Sequence, residues 1–439
     1  MAQFLRRVAL LVCVCLSVEC GTGQQDPAIS AETQQHIENV KSGLLPDAVW
    51  KNDPHPGHSL SDRMAALHVP GVSIAVIHHG VIEWAQGFGV TRLGGPPVTA
   101  KTMFQAGSIS KPVSALAALR LVQEGKLTLD ADVNTELSSW KLPIEPFTEN
   151  KPVTLRQLLS HTGGITVHGF DGYASGAPVP SLKQVLDGVS PANSPAIRSE
   201  ALPGSGWKYS GGGYTILQQV MTDVTGEPFP KLLQDLVLTP IGMTESTYQQ
   251  PLPGDRKLLA ATPYNADGTP VAGGPHTYPE MAAAGLWTTP TDLARYAIEV
   301  QHSLVGKSNL VLSAQMTRQM LTPGQGGWGL GPEIHGSASD PLFLHGGVDA
   351  GFECLMVAYV ERDEGAVVMT NAQGGGVVLA AEVLRSIAAE YKWPHYYRPE
   401  ILGRSRVYLK VLAVLLVAIG IGIFLKWVRR RASVPEQPA

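Results

Sequence analysis

The sequence is short of cysteine and of charge. Only 4 cysteines occur in 439 residues, and Cys13, Cys15 and Cys20 crowd the N-terminus, leaving Cys354 alone in the body. Neither a disulfide framework nor a cysteine-based zinc site is available, so packing must hold the fold together. Charged residues are 16% of the chain, and Lys+Arg 33 against Asp+Glu 37 leave a net charge of -4. With no long basic run in the body, there is no electrostatic footprint for nucleic acid. Repeats, low-complexity blocks and long linkers are also missing between about Gln35 and Tyr397, so that stretch reads as one folded unit with internal lobes. What is present is apolar material, 44% of the residues, enough for a real core.

The two ends differ from the body. Arg6 and Arg7 precede an apolar run from Val8 to Val18, about the length of a signal-peptide core and too short to span a bilayer. Residues 1–20 are therefore expected to be a signal peptide, with cleavage after Cys20 or Gly23. Lipidation of Cys20 is disfavoured by Glu19, which stands where a small residue is expected. Near the other end, Val411 to Leu425 is uncharged, and Lys410 and Lys426 can snorkel to extend the span to 407–428. Tyr408 and Trp427 suit the two interfaces, and Arg429, Arg430 and Arg431 supply the charge retained in the cytoplasm. The expectation is a single-pass membrane protein: body 31–400 outside, transmembrane helix 407–428, cytoplasmic tail 429–439.

Within the body, Val72–Ile77 and Val81–Gln86 flank His78, His79 and Gly80, the pattern of a hairpin whose histidines are turn residues. A second hairpin pattern joins Cys354–Val360 to Ala366–Thr370 through the charged turn Glu361–Gly365. Helical patterns fill the middle, notably Val113–Glu124 ending at Gly125 and Thr215–Val224 ending at Gly226. The fold class that follows is α/β in the α+β sense. An antiparallel sheet built from both chain ends is flanked by helices and set beside a mostly helical lobe, with the site between them.

Ser108 and Lys111 stand at the start of the helix that runs on through Leu116 and Leu119. A helix start suits a nucleophile, because free backbone NH groups and the positive dipole end stabilise an oxyanion forming beside it. The i, i+3 spacing puts Lys111 on the face of Ser108, where a desolvated amine can take the serine proton. Pro112 is tolerated in the first turn. Ser138 with Lys141 and Ser205 with Lys208 share the spacing, but both lie in loop-like stretches. On local sequence alone, Ser108 is better explained as an ordinary N-cap.

A set of segments in order decides between these readings. Phe104–Lys111 reads FQAGSISK, Leu155–Ile165 LRQLLSHTGGI, Tyr209–Tyr214 YSGGGY and His345–Val348 HGGV. PIGM (Pro240–Met243), AAAGLWTTPTDLARY (Ala282–Tyr296), GWGLG (Gly327–Gly331) and VVMTN (Val367–Asn371) accompany them. The whole resembles the serine β-lactamase-like hydrolases, nearest the class C β-lactamase, DD-peptidase and esterase branch, from about Val69 to Ala372.

The resemblance implies that Ser108 is the acylated nucleophile and Lys111 its proton acceptor. Tyr209 takes the family's tyrosine, whose hydroxyl beside the lysine relays a proton to the leaving group. His345 takes the first place of the Lys-Thr-Gly element on a strand bordering the cleft. It would orient a substrate carboxylate or carbonyl as a donor, charged only below roughly pH 6.5. Gly347 would admit the substrate backbone, and the Val348 NH would join that of Ser108 as the oxyanion hole. His161 reads as a structural histidine under the cleft.

Two departures stand out: Gly211 replaces an asparagine that would hold an acylamide, and His345 replaces a permanent cation. Both turn the expectation from a β-lactamase toward a membrane-tethered esterase, amidase or D-amino-acid peptidase acting on a small-molecule or peptide substrate. An inactive β-lactam- or peptidoglycan-binding or sensing module, and a class C-like β-lactamase, are the alternatives. No cofactor is implied, and His161, His168 and the other histidines lack metal-ligand spacing with acidic partners on one helix. Specificity would reside in loops such as Val167–Pro180 and Tyr264–Tyr278.

Overall fold

The computed structural model describes residues 29–50, 57–337, 340–394 and 400–402, together with Ile421 and Leu425. The expected signal peptide over 1–20 and tail over 429–439 lie outside the described residues, as does the span 407–428 apart from those two positions. Among the described residues, no helix is long and apolar enough to cross a membrane.

In chain order the described strands are β1 Ala48–Trp50, β2 Gly71–His78, β3 Val81–Gly89, β4 Phe104–Gln105 and β5 Trp287–Thr288, then β6 Glu333–Ser337, β7 Asp340–Asp349, β8 Phe352–Tyr359, β9 Gly365–Thr370 and β10 Glu400–Leu402. Six of them form one antiparallel sheet in the order β3-β2-β9-β8-β7-β6. The early hairpin joins the late strands through β2 and β9, in register from Val72 opposite Thr370 to Ile77 opposite Gly365. A sheet closed by both chain ends is thus what forms. β6 and β7 extend it, although Gly336, Pro341, Gly346 and Gly347 depress their β-propensity. A parallel pair of β1 and β10 ties Ala48–Trp50 to Glu400–Leu402.

The central strands are buried on both faces, as a sheet sandwiched by helices requires. Val72, Ile74 and Val76 pack with Ile37 and Val40 of the Ala31–Ser42 helix and with Leu379, Val383 and Ile387 of the Gly375–Glu390 helix. Ala75 and Ile77 face the other way, into the larger core shared with Leu293, Ala297 and Val300 of the Pro290–Leu304 helix. Each such Val, Leu or Ile side chain removed from water contributes about 1.5–3 kcal/mol.

The helical lobe centres on Ser110–Gln123, every residue of which from Ser110 to Leu119 is buried. It starts three residues before the expected Val113, since Pro112 fits a first turn whose NH has no intrahelical partner. The second helix, Gly211–Thr225, also starts earlier than the expected Thr215. Ser210 caps it by accepting the Gly213 NH at 3.0 Å. Packing overrides the low helix propensity of the glycine triplet: a Cβ on Gly212 would lie 2.4 Å from the Thr166 carbonyl oxygen.

Candidate active site

Ser108 sits where the lobe meets the sheet. After β4 pairs with β5, the chain makes a 3-10 turn over Gly107–Ile109 and enters the Ser110–Gln123 helix. Gly107 has φ +50, and a Cβ there would stand 2.5 Å from the Val348 nitrogen of β7. Across the same contact, a Cβ on Gly347 would stand 1.9 Å from the Ala106 carbonyl oxygen. Two glycines therefore allow turn and strand to touch backbone to backbone, which sets the Val348 peptide beside Ser108. The buried Cys354 thiol reinforces the join by donating to the Ala106 oxygen at 3.2 Å. β6 pairs with β7 only as far as Leu344, so His345–Asp349 form a free edge on the cleft side.

Lys111 is buried, and its Nζ lies 2.9 Å from Ser108 Oγ and 2.8 Å from the Ala283 carbonyl oxygen. This is the serine–amine pair expected from the spacing. The other two matches are not pairs. Lys141 Nζ bonds to the Asn134 carbonyl at 2.6 Å, and Lys208 is bonded to Glu200.

Tyr209 is also brought to the site, in a different attitude from the one expected. Its ring, rather than its hydroxyl, faces the amine: Lys111 Nζ lies 4.9 Å from the Tyr209 ring centroid. The ring stacks on His161 at 4.3 Å and meets His168 at 4.9 Å and Trp328 at 5.6 Å. His161 is the structural histidine foreseen under the cleft, though only half satisfied, its buried Nε2 having no hydrogen-bond partner among the described residues. Its Nδ1 accepts the Ser210 NH at 3.1 Å, and burial, with help from Lys111 and His345, holds its pKa well below the ordinary value. It both stacks on Tyr209 and fixes the next peptide.

His345 corrects the expectation of a histidine that gains charge near pH 6.5. It is only 3% exposed, and burial, then Lys111, lowers its pKa to about 3. Nor is it a donor to the cleft. Its Nδ1 lies 2.6 Å from the Gly346 carbonyl oxygen, which can only accept, so Nδ1 carries the proton. Nε2 is left as an acceptor with no hydrogen-bond partner among the described residues.

The cleft has a volume of about 740 Å³. Its walls include Phe170, Trp207, Tyr209 and Trp328, and Lys111 is the one lysine or arginine among the residues lining it, against Asp171, Glu333 and Asp349. Sequence reasoning missed Asp349, which period 2 along β7 places on the face of His345 and Gly347. Burial pushes its carboxyl well above the usual range, while Lys111, the Gly107 backbone and Tyr278 pull the other way. Trp328 was visible within GWGLG and Phe170 lies in the expected specificity loop 167–180, whereas nothing local marks Trp207. Gly211 packs where a Cβ would meet the His168 oxygen and the Phe170 ring at 3.0 Å, so the 167–180 loop occupies the room an asparagine would need. A separate groove of about 830 Å³, lined by residues including Leu60, Met64 and Phe88, holds no serine–amine pair.

A serine and an amine at 2.9 Å, seated between an antiparallel sheet and a helical lobe, define a serine-hydrolase class of site. The Beta-lactamase family model matches residues 58–389, and the chain belongs to that family. Protein flp of Staphylococcus aureus (strain N315) is 25% identical over 344 residues, 74% of this chain and 64% of that protein. The chain thus spans under two thirds of the length of that relative. Esterase EstB of Burkholderia gladioli is 33% identical over 210 residues, 46% of this chain and 51% of the esterase. Among solved structures, the octameric penicillin-binding protein homologue from Pyrococcus abyssi superposes with a TM-score of 0.64 at 25% identity, covering 76% of each chain. A penicillin-binding protein from Bacillus halodurans shares the fold with a TM-score of 0.57 at 22% identity, over 75% of this chain and 98% of that one.

Proposed function

We propose that this chain is an extracytoplasmic acyl-serine hydrolase, tethered by residues 407–428, that cleaves an ester, an amide or a D-amino-acid peptide. The observation that carries the reading is Ser108 Oγ at 2.9 Å from a buried amine in an open cleft. In this mechanism Lys111 takes the serine proton as Oγ attacks the substrate carbonyl. The NH groups of Ser108 and Val348 stabilise the tetrahedral oxyanion. The proton held by Lys111 passes to the leaving group, directly or through the Tyr209 hydroxyl once substrate turns the ring. Water then enters and hydrolyses the acyl-serine by the reverse proton path.

The cleft chemistry supports substrates that need no cationic anchor. His345 is neutral and offers no proton to the cleft, Lys111 must be an uncharged amine to act as the base, and Asp171 and Glu333 are acidic while burial favours the neutral form of Asp349. Four aromatic walls favour an apolar or aryl acyl group. Esterase EstB, named for ester cleavage, is consistent with this preference. The tether and the outward orientation rest on the apolar run 411–425 and on Arg429–Arg431.

The test is labelling with a fluorophosphonate, followed by turnover of short acyl esters, D-Ala-D-Ala peptides and a chromogenic cephalosporin. Labelling in wild type, in Ser138→Ala and in Ser205→Ala, but not in Ser108→Ala, is expected, with esters or amides turned over fastest. A folded wild type that neither labels nor turns over any of them is an inactive binding module. Fastest turnover of the cephalosporin identifies a β-lactamase.

A further inference from the structure

We propose that the end of the sheet remote from the cleft carries a zinc site made by His78, His79 and Glu364. The cleft end of the sheet is marked by Val348 and Asp349 and, two strands over, by Thr370 opposite Val72. His78 closes the other end of β2, about 20 Å away at 3.3 Å per strand residue. Here two turns lie side by side. The β2–β3 turn and the β8–β9 turn are joined by the Gly80 NH, which donates to the Asp363 carbonyl oxygen at 2.8 Å.

Neighbouring residues of a strand point to opposite faces. His79 escapes that rule by taking φ +53, and its ring stacks on His78 with centroids 3.8 Å apart. Both imidazoles therefore stand on the same side of the turn. Glu364 faces them from the second turn, its Oε1 2.7 Å from His78 Nδ1. One donor atom from each of the three residues lies within 4.8 Å of the others. Tetrahedral zinc with bonds of about 2.0–2.1 Å holds its ligand atoms about 3.3 Å apart. The exposed His79 ring has the freedom to close that difference by side-chain rotation, while the 2.7 Å contact of His78 Nδ1 with Glu364 Oε1 widens as zinc displaces the proton between them.

The groups around the three residues hold the carboxylate in place. Glu364 is 8% exposed, and its other oxygen accepts the indole NH of the buried Trp393 at 3.1 Å, which aims Oε1 at the histidines. Asp363 is paired with Lys307 at 3.0 Å and does not compete for the metal. Two imidazole nitrogens and one carboxylate oxygen, with water in the fourth position, suit zinc and reject magnesium, which demands oxygen donors. Bound there, zinc would staple the two turns whose strands knit the chain ends together.

The experiment uses the full chain without a histidine tag, stripped with chelator and titrated with zinc chloride by calorimetry, with bound metal counted by mass spectrometry. The expected result is one zinc per chain with micromolar or tighter affinity, no magnesium heat, and a rise in Tm of about 5 °C at saturating zinc. His79→Asn, which tolerates the left-handed backbone, and Glu364→Gln should each weaken binding at least tenfold. His79→Asn should keep the wild-type Tm in chelator, separating metal loss from misfolding. A wild type that binds no zinc, or the same affinity in wild type and His79→Asn, overturns the site.

Discussion

At pH 6 a proton on His345 works against a pKa held at about 3, three decades of proton activity at about 1.4 kcal/mol each, or roughly 4 kcal/mol. About one free enzyme in a thousand then carries an imidazolium at that position. Since kcat/KM reports ionisations of the free enzyme, a substrate carboxylate gains nothing from His345 over the neutral range. The assay compares an ester carrying a carboxylate ionised throughout with its uncharged analogue, from pH 5 to 8. The ratio of their kcat/KM values should stay constant within about twofold. His345→Lys supplies an amine at the same point and should raise the ratio by about tenfold or more.

The same depressed pKa has a stability consequence of definite sign. The unfolded chain holds this proton up to 6.5 and the folded chain only up to about 3. Between those values unfolding takes up a proton, so stability falls as pH drops through the window. At pH 4.5 the share of the loss due to His345 is about 3 kcal/mol, read by urea unfolding as the difference between wild type and His345→Gln, since buried His161 adds a loss of the same sign to both. A wild-type ratio that falls about tenfold per pH unit through the range near 6.5, and is flat in His345→Lys, would refute the neutral histidine.

Gly347→Ala should lower kcat by about 10²–10³ with the fold retained by circular dichroism, because its Cβ would overlap the Ala106 oxygen at 1.9 Å and push Val348 off the nucleophile turn. Gly346→Ala, whose Cβ would meet its nearest neighbour at an ordinary 3.4 Å, should stay within a few-fold of wild type, and equal losses in both would sink the argument. Burial raises Glu280 to about 7 from 4.5, so its contribution to stability is full below 4.5 and lost as pH rises through 7. That is worth about 3 kcal/mol by pH 8, and denaturant curves of Glu280→Gln should lack this component. A chain ending at Leu402 should be recovered soluble with Ser108 still labelled, while the full chain sediments with membranes; a full chain that stays in the supernatant would contradict the tether.

Hairpins, the sheet built from both ends and the Ser108–Lys111 pair were legible because each is written in local pattern: β-branched runs around a turn, or an i, i+3 spacing at a helix start. Tyr209 and His345 were placed through motifs, but their states were not. The protonation of His345 depends first on its burial and then on the nearby Lys111 charge, neither of which any window of sequence contains. The same holds for the attitude of Tyr209, set by stacking on His161 from a segment nearly fifty positions away. Early starts of the two helices were hidden by Pro112 and by the glycine triplet, which weaken propensity while serving the first turn and close packing. Phe170 and Trp207 reach the cleft from loops, and a loop's path is a tertiary fact.

The pairing of Val72 with Thr370 has a consequence for how the molecule is made. A chain that emerges N-terminus first has Ser108, Lys111 and Tyr209 outside the ribosome long before β9, the second partner of β2, exists. The helical segment between can collapse early, on local contacts, but the central strand must wait with both apolar faces and an open edge until β9 arrives. Translation stopped between Tyr209 and that strand yields a product with Ser108, Lys111 and Tyr209 all present and no platform to hold them, exposed to aggregation. The last strand of the sheet, remote in sequence from every reacting atom, is the step that commits the chain to activity.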